Sequence, residues 1–127
     1  MTPRVMQGNI SFNRVAGTTR GLHYQKGAAA EAKLIRCIRG AAFFAVVNLR
    51  PGPERLRHTT VLLRSQERRA VFVPEGCAVG MQTQEDDTEL LYQASQFYTP
   101  ELESGVRWDD PAVGIEWPMA PTVISAK

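Results

Sequence analysis

The sequence predicts a single all-β domain of many short strands, arranged as a sandwich or a small barrel. Hydrophobic side chains alternate with period two through most of the chain before Phe97, and glycine and proline separate the alternating segments. No stretch longer than about two helical turns shows a helical period. A chain of 127 residues has the length of one domain, so we expect one fold unit over residues 1–127.

The strand signals begin with a predicted hairpin. Alternation over residues 33–39 ends at Gly40, and an apolar run over 41–49 follows, which indicates a turn around Arg39 and Gly40. Residues 51–53, Pro-Gly-Pro, end the second strand. Further strands are predicted at residues 59–64, 70–73, 78–83 and 88–97, with a turn at 74–76.

The chain changes character after Tyr98. Four prolines follow, Pro100, Pro111, Pro118 and Pro121. Proline removes a backbone donor and interrupts sheet pairing. We therefore predict an irregular but packed C-terminal segment, anchored by Trp108 and Trp117.

Charge and cysteine content exclude several classes of function. A net charge of +2 gives little reason to expect a nucleic-acid partner, and solvated strand ends explain the arginines in the middle of the chain. Cys37 and Cys77 lie inside apolar runs, which favours buried, reduced thiols and a cytoplasmic protein. No apolar run reaches membrane-spanning length, so we expect no membrane partner.

The most informative motif is Arg20-Gly21-Leu22-His23-Tyr24-Gln25. The unperturbed pKa of histidine lies near neutrality, so His23 can accept and return a proton under physiological conditions. The planar guanidinium group of arginine is suited to binding phosphate, and Arg20 precedes His23 by three residues. The pair suggests proton chemistry on a phosphorylated substrate.

Several short motifs, in the same order, resemble the dTDP-4-dehydrorhamnose 3,5-epimerases, which are cupin-like jelly-roll (double-stranded β-helix) enzymes of deoxysugar-nucleotide biosynthesis. They are residues 7–9 (QGN), 20–25 (RGLHYQ), 32–36 (AKLIR), 73–76 (VPEG), 91–92 (LY), 98–103 (YTPELE), 108–111 (WDDP), 115–118 (IEWP) and 125–127 (SAK). The resemblance implies a jelly-roll epimerase of a nucleotide-linked 4-keto-6-deoxysugar that needs no cofactor and no metal. Two histidines without a His-x-His pair also speak against a metal site.

The resemblance implies roles for particular residues. His23 matches the base, Tyr92 the acid on the opposite face, and Lys33 the cation beside the keto oxygen. The substrate-binding positions are Gln7, Asn9, Arg20, Gln25, Tyr98, Glu103 and Lys127. Among these, Gln7, Asn9 and Arg20 match contacts to the diphosphate region, and Tyr98 matches the tyrosine that stacks on thymine.

Each of these residues also has a structural interpretation. His23 could be a satisfied core histidine, Lys33 a strand-edge charge, and Tyr92 and Tyr98 ordinary core aromatics. Gln7 and Arg20 could be polar surface groups. His58 lies among arginines outside every motif, and we interpret it as a solvated residue.

Compared with the family pattern, Val79 stands where a histidine is usual and Phe44 where an aspartate is usual. We also expect the domain to lack the family's usual N-terminal region and its extreme C-terminus, including the aspartate that orients the catalytic histidine. Because of these departures, an alternative function stays open. The chain could be a non-catalytic jelly-roll module that binds a sugar nucleotide or serves dimerisation. In either case exposed edge strands favour a homodimer.

Overall fold

The computed structural model describes residues 5–125, which form ten β-strands and three short 3₁₀ turns. The strands are β1 (Gln7–Asn13), β2 (Thr18–Gln25), β3 (Lys33–Arg39), β4 (Ala41–Asn48), β5 (His58–Arg64), β6 (Ala70–Val73), β7 (Cys77–Thr83), β8 (Thr88–Ala94), β9 (Glu103–Gly105) and β10 (Val123–Ser125). The 3₁₀ turns cover Gly27–Ala29, Ser65–Glu67 and Pro100–Leu102.

Two sheets make up the domain. The four-stranded sheet has the order β1-β8-β3-β6, and the six-stranded sheet has the order β10-β2-β7-β4-β5, with β9 paired on β2. Neighbouring strands are antiparallel except for β10, which runs parallel to β2. The all-β prediction is confirmed. The predicted hairpin at Gly40 is wrong, because the turn there joins β3 of the smaller sheet to β4 of the larger sheet and the two strands do not pair.

The main core lies between the two sheets. Ile35 and Leu90 of the smaller sheet pack with Phe44, Leu63 and Met81 of the larger sheet, and all five are at most 2% exposed. Alternate residues of a strand point to opposite faces, so the period-two pattern places apolar side chains of β3 to β8 in this interior. Each large side chain buried here contributes about 1.5–3 kcal/mol relative to exposure.

The C-terminal segment covers the outer face of the larger sheet. Val113 is buried against Leu22 and Val47, and the ring of Trp117 packs edge-on against Phe43 with centroids 5.7 Å apart. The indole N–H of Trp117 donates to the backbone oxygen of Trp108 over 2.8 Å. The predicted irregular, packed tail is therefore confirmed. It also contains the short strands β9 and β10, which the proline-rich sequence did not predict.

Both cysteines are buried and neither forms a disulfide. Burial raises the pKa of both thiols above the ordinary value, and the backbone oxygen of Arg39 and the charge of Arg50 only partly oppose this at Cys37 and Cys77, respectively. Across residues 5–125, the structure contains no helix that is both long and apolar enough to span a membrane.

A bulge in β2 determines which side chains enter the interior. Arg20 pairs with Met81 of β7, and His23 pairs with Val79, so three steps along β2 match two steps along β7. In a regular strand, residues three apart point to opposite faces. The extra residue places Arg20 and His23 on the same face.

Gly21 makes this bulge possible. Its φ of 125° is a conformation that side chains rarely adopt, and a Cβ atom there would lie 2.6 Å from the Cα of Gly80. The two strands therefore approach each other at a point where only glycine fits.

We predict that Gly21→Ala destabilises the domain by about 1–3 kcal/mol more than Gly52→Ala, because overpacking adds to backbone strain at Gly21 alone. Gly52 has a similar φ of 129°, but a Cβ there would meet nothing within 4 Å. Urea unfolding of the two variants measures the difference. Equal losses of stability would show that the close approach of β2 and β7 does not constrain residue 21.

Candidate active site

The bulged strand forms one wall of a cavity of about 280 Å³ that lies between the two sheets. Both polar and apolar side chains line this cavity. The lining residues are Asn9, Ser11, Arg20, His23, Lys33, Phe44, Val79, Gly80, Met81 and Tyr92. The catalytic residues expected from the sequence, His23, Lys33 and Tyr92, therefore lie around one cavity.

Arg20 reaches this cavity from the same strand as His23 and is held by a buried amide. The guanidinium Nε donates to Oδ1 of Asn13 over 3.1 Å. The Asn13 side chain is 2% exposed, and its Nδ2 donates to Ser11 Oγ and to the backbone oxygen of Thr88. This bracing fixes the Arg20 stem and directs a permanent positive charge into the cavity.

Lys33 and Tyr92 enter from the facing sheet. Lys33 begins β3 and pairs with Ala94, while Tyr92 of β8 pairs with Ile35, so both residues lie on the inner face of adjacent strands. Desolvation raises the pKa of Tyr92 to about 12, although the charge of Arg20 opposes the shift. The Tyr92 phenol is therefore protonated at neutral pH and can donate a proton.

A second cavity of about 210 Å³ adjoins the first and shares Asn9, Lys33 and Tyr92 with it. Its remaining wall includes Gln7 and Tyr98. We call the two cavities together the groove. The Tyr98 ring is 54% exposed at the outer end of the groove, which leaves an aromatic face open to a flat ligand.

Tyr98 is connected to both sides of the groove entrance. Its backbone N–H donates to Oε1 of Gln7 over 2.8 Å, and its hydroxyl lies 3.5 Å from Oε1 of Glu103. Partial desolvation, followed by the nearby Glu103 carboxylate, raises the pKa of Tyr98. Glu103 thus contacts the tyrosine and does not line either cavity of the groove.

Two other residues expected to bind substrate are placed differently. Gln25 is 5% exposed, and its amide is hydrogen-bonded to Glu31, to Thr99 and to the backbone oxygens of Ala29 and Phe97. Its side chain does not line either cavity of the groove. Lys127 lies outside the described residues.

The wall beside His23 is apolar. Val79 pairs directly with His23 across the β2–β7 ladder, and Phe44, which is fully buried, borders the same cavity together with Met81. Val79 and Phe44 are the two interior positions at which the chain departs from the family pattern. An apolar wall lowers the local dielectric constant and so strengthens the electrostatic effect of charges that line the same cavity.

Two residues of the site had no sequence motif to identify them. Asn13 braces Arg20, and Glu31 forms an ion pair with Lys33 over 3.1 Å. The Glu31-x-Lys33 spacing was the available signal for the second contact, because residues two apart at the start of a strand share a face.

The arrangement supplies the groups that proton transfer next to a carbonyl requires. A histidine and a protonated tyrosine come from facing sheets, and a lysine ammonium stands beside the tyrosine. A cation at this place can stabilise an enolate oxygen. Within residues 5–125, no group of three or more His, Cys, Asp or Glu side chains is clustered to hold a metal ion.

Comparison with known proteins identifies close relatives. The dTDP-4-dehydrorhamnose 3,5-epimerase family model matches residues 1–127. The chain is 40% identical over 121 residues to the dTDP-4-dehydrorhamnose 3,5-epimerase of Sinorhizobium fredii, which covers 94% of this chain and 62% of the relative. The chain thus spans less than two thirds of the length of that relative.

Solved structures show the same fold. The dTDP-4-dehydrorhamnose 3,5-epimerase of Bacillus anthracis, with TDP and PPi bound, aligns with a TM-score of 0.94 at 34% identity, covering 98% of this chain and 72% of that one. A dTDP-6-deoxy-D-glucose-3,5-epimerase of Legionella pneumophila in complex with dTDP-4-keto-L-rhamnose aligns with a TM-score of 0.91 at 30% identity, covering 98% and 66%. The expected cupin-like jelly-roll fold is confirmed.

We predict that Tyr92 contributes no phenolate signal below about pH 10, because its pKa lies about two units above the ordinary value. The near-ultraviolet absorbance change of wild type and Tyr92→Phe should therefore coincide up to about that pH. Circular dichroism over the same range verifies that both proteins remain folded. A smaller phenolate signal in Tyr92→Phe near pH 9 would contradict the desolvated placement of this side chain.

Proposed function

The chain belongs to the dTDP-4-dehydrorhamnose 3,5-epimerase family, and from that premise we propose that it is a cofactor-independent epimerase of a nucleotide-linked 4-keto-6-deoxysugar. The observation that carries the proposal is the groove in which His23 faces Lys33 and Tyr92 across the two sheets. A base and an acid on opposite walls are what inversion of a carbon centre needs.

The proposed reaction uses the acidity of the protons next to the sugar ketone. His23 removes a proton from the carbon, and the electron pair of the C–H bond moves into the enolate. The Lys33 ammonium stabilises the negative oxygen, and the Tyr92 phenol returns a proton to the opposite face of the same carbon. No organic cofactor or metal takes part, because the ketone itself delocalises the electron pair.

The outer end of the groove is proposed to hold the nucleotide. The exposed face of Tyr98 suits stacking on a thymine ring. Gln7 and Asn9 line the intervening stretch, and the braced guanidinium of Arg20 suits the diphosphate. The relatives whose structures contain TDP or dTDP-4-keto-L-rhamnose support a ligand of this class. We extend the same proposal to the substrate contacts expected of Glu103 and Lys127.

The non-catalytic alternative is not favoured. The family members that match this chain are named as epimerases. The apolar wall formed by Phe44 and Val79 lowers the polarity around His23, but His23, Tyr92 and Lys33 all still line the groove.

We also propose that the protein is a cytoplasmic homodimer. The outer face of the smaller sheet exposes large apolar side chains from β1, β3 and β6: Ile10, Phe12, Leu34, Ile38 and Phe72. Such a face gains free energy when another copy covers it. Two buried thiols without a disulfide are consistent with a reducing compartment.

The dimer prediction is tested by light scattering at micromolar concentration. We expect a mass of twice the 14.1 kDa chain, and we expect Phe72→Glu, which places a charge on the apolar face, to shift the population to monomers. Thr59→Glu, on an exposed position of β5 in the other sheet, is the control. A wild-type population of monomers alone would remove the claim.

The catalytic prediction uses the two histidines of the chain. We expect His23→Ala to reduce solvent deuterium incorporation into dTDP-4-keto-6-deoxyglucose by about 10²–10⁴-fold, the usual contribution of a positioned base. The affinity for dTDP should change little, because the nucleotide contacts lie at the outer end of the groove. His58→Ala, on β5 and outside both cavities, should leave exchange unchanged. Equal exchange by His23→Ala and wild type would reject His23 as the base.

A further inference from the structure

Glu31 is a charged residue that the proposed reaction does not use, although it lies against the groove. It precedes β3 and lines the cavity that contains Tyr98. Its Oε1 accepts from the Lys33 ammonium over 3.1 Å, and the two side chains are only 9% and 20% exposed. A carboxylate that is this poorly hydrated needs partners for both of its oxygens.

Gln25 supplies the second partner. Its Nε2 donates to Oε2 of Glu31 over 3.0 Å, so the two carboxylate oxygens serve different neighbours. Its Oε1 accepts from the backbone N–H of Thr99 over 2.7 Å. A backbone N–H only donates, so the amide oxygen must face Thr99 and the amide nitrogen must face Glu31.

The same amide also holds the segment that carries Tyr98. Nε2 of Gln25 donates to the backbone oxygen of Phe97 over 3.2 Å, while Oε1 binds the N–H of Thr99. These contacts fix the backbone on both sides of Tyr98. The backbone oxygen of Ala29, at 2.9 Å from Nε2, anchors the amide to the turn that precedes Glu31.

We propose that Glu31 is a positioning residue for Lys33, and that Gln25 ties this ion pair to the backbone on both sides of Tyr98. The proposal rests on the proposed function of the groove. Lysine has a flexible four-carbon stem, and an ammonium that is fixed by Glu31 stays aimed at the place where a keto oxygen would lie. One support then sets both the nucleotide end and the reacting end of the groove.

Glutamate is the residue that fits this place. A glutamine at position 31 could turn its oxygen toward Lys33, but its amide nitrogen would then face the nitrogen of Gln25. Two donors would oppose each other, and the ammonium would lose its counter-charge. Glu31→Gln therefore breaks the connection with almost no change of volume, which makes it a sharper variant than alanine.

The first test measures solvent deuterium incorporation at saturating dTDP-4-keto-6-deoxyglucose. We expect Glu31→Gln to slow it about 10- to 100-fold, as loss of a charge-assisted contact would, with little change in KM. In a Lys33→Met background the same substitution should have less than about a twofold effect, because a residue that acts through Lys33 has nothing left to position. Glu54→Gln, which removes an exposed ion-pair partner of Arg57, should not alter the rate. Equal slowing in both backgrounds, or no slowing in either, would overturn the proposal.

The second test does not depend on turnover. Lys33 is labelled with trinitrobenzenesulfonate and quantified by peptide mass spectrometry against the exposed Lys26. We expect Glu31→Gln to increase labelling of Lys33 several-fold relative to Lys26, and Glu31→Asp, which keeps the charge but is too short to reach both partners, to give an intermediate increase. Unchanged labelling of Lys33 in a folded Glu31→Gln protein would overturn the positioning role even if the wild type is active. Increased labelling in a protein whose wild type exchanges no deuterium would support the ion pair and reject the proposed function alone.

Discussion

The close approach of β2 and β7 at Gly21 is the constraint on which the site depends. A regular strand would send Arg20 and His23 to opposite faces, one toward the interior and one toward the C-terminal segment. The extra residue in β2 brings both side chains to the interior, while Leu22 between them packs against Val47 on the outer face. An arginine and a histidine thereby share one groove, although only three positions separate them.

The groove stays open because the inner face of β1 is polar. The inward positions of β1 carry Gln7, Asn9, Ser11 and Asn13, and the first three of these line the groove. Beyond the groove, Ile35, Leu63 and Leu90 fill the space between the sheets. Different parts of the same sandwich thus serve stability and ligand binding. The apolar side chains resist unfolding, and the polar row leaves space for a ligand.

The electrostatics of the groove follow from that division. Tyr92 lies where the apolar core meets the polar end, and desolvation raises the pKa of its phenol. Lys33 and Glu31 form their ion pair at the polar end of the groove, where the carboxylate can neutralise the ammonium without removing it from the groove. His23 has the apolar neighbours Val79 and Phe44, and the polar groups that line the same cavity come mainly from the opposite sheet.

The sequence patterns predicted the strands whose inward-facing side chains are apolar. The predicted bounds of β3 and β6 match the structure, those of β4, β5 and β7 differ by one residue, and the predicted β8 continued three residues too far. The alternation of apolar residues did not predict β1 and β2, because the interior positions of these strands carry polar side chains. Several of these polar side chains line the groove. The roles of His23, Lys33 and Tyr92 came from the family resemblance. The contacts of Asn13, Gln25 and Glu31 depend partly on segments distant in sequence, such as Gln25 with Thr99, and no local spacing reveals those.

The most direct test of one shared groove is an NMR titration of the imidazole signals of wild-type protein with dTDP-rhamnose, a ligand that lacks the reactive ketone. The chain has two histidines, so His58→Ala assigns both sets of signals. We predict that the His23 signals shift with saturation of binding while those of His58 stay in place. Saturable binding that moves the His58 signals, or neither set, would contradict the placement of His23 in the ligand groove.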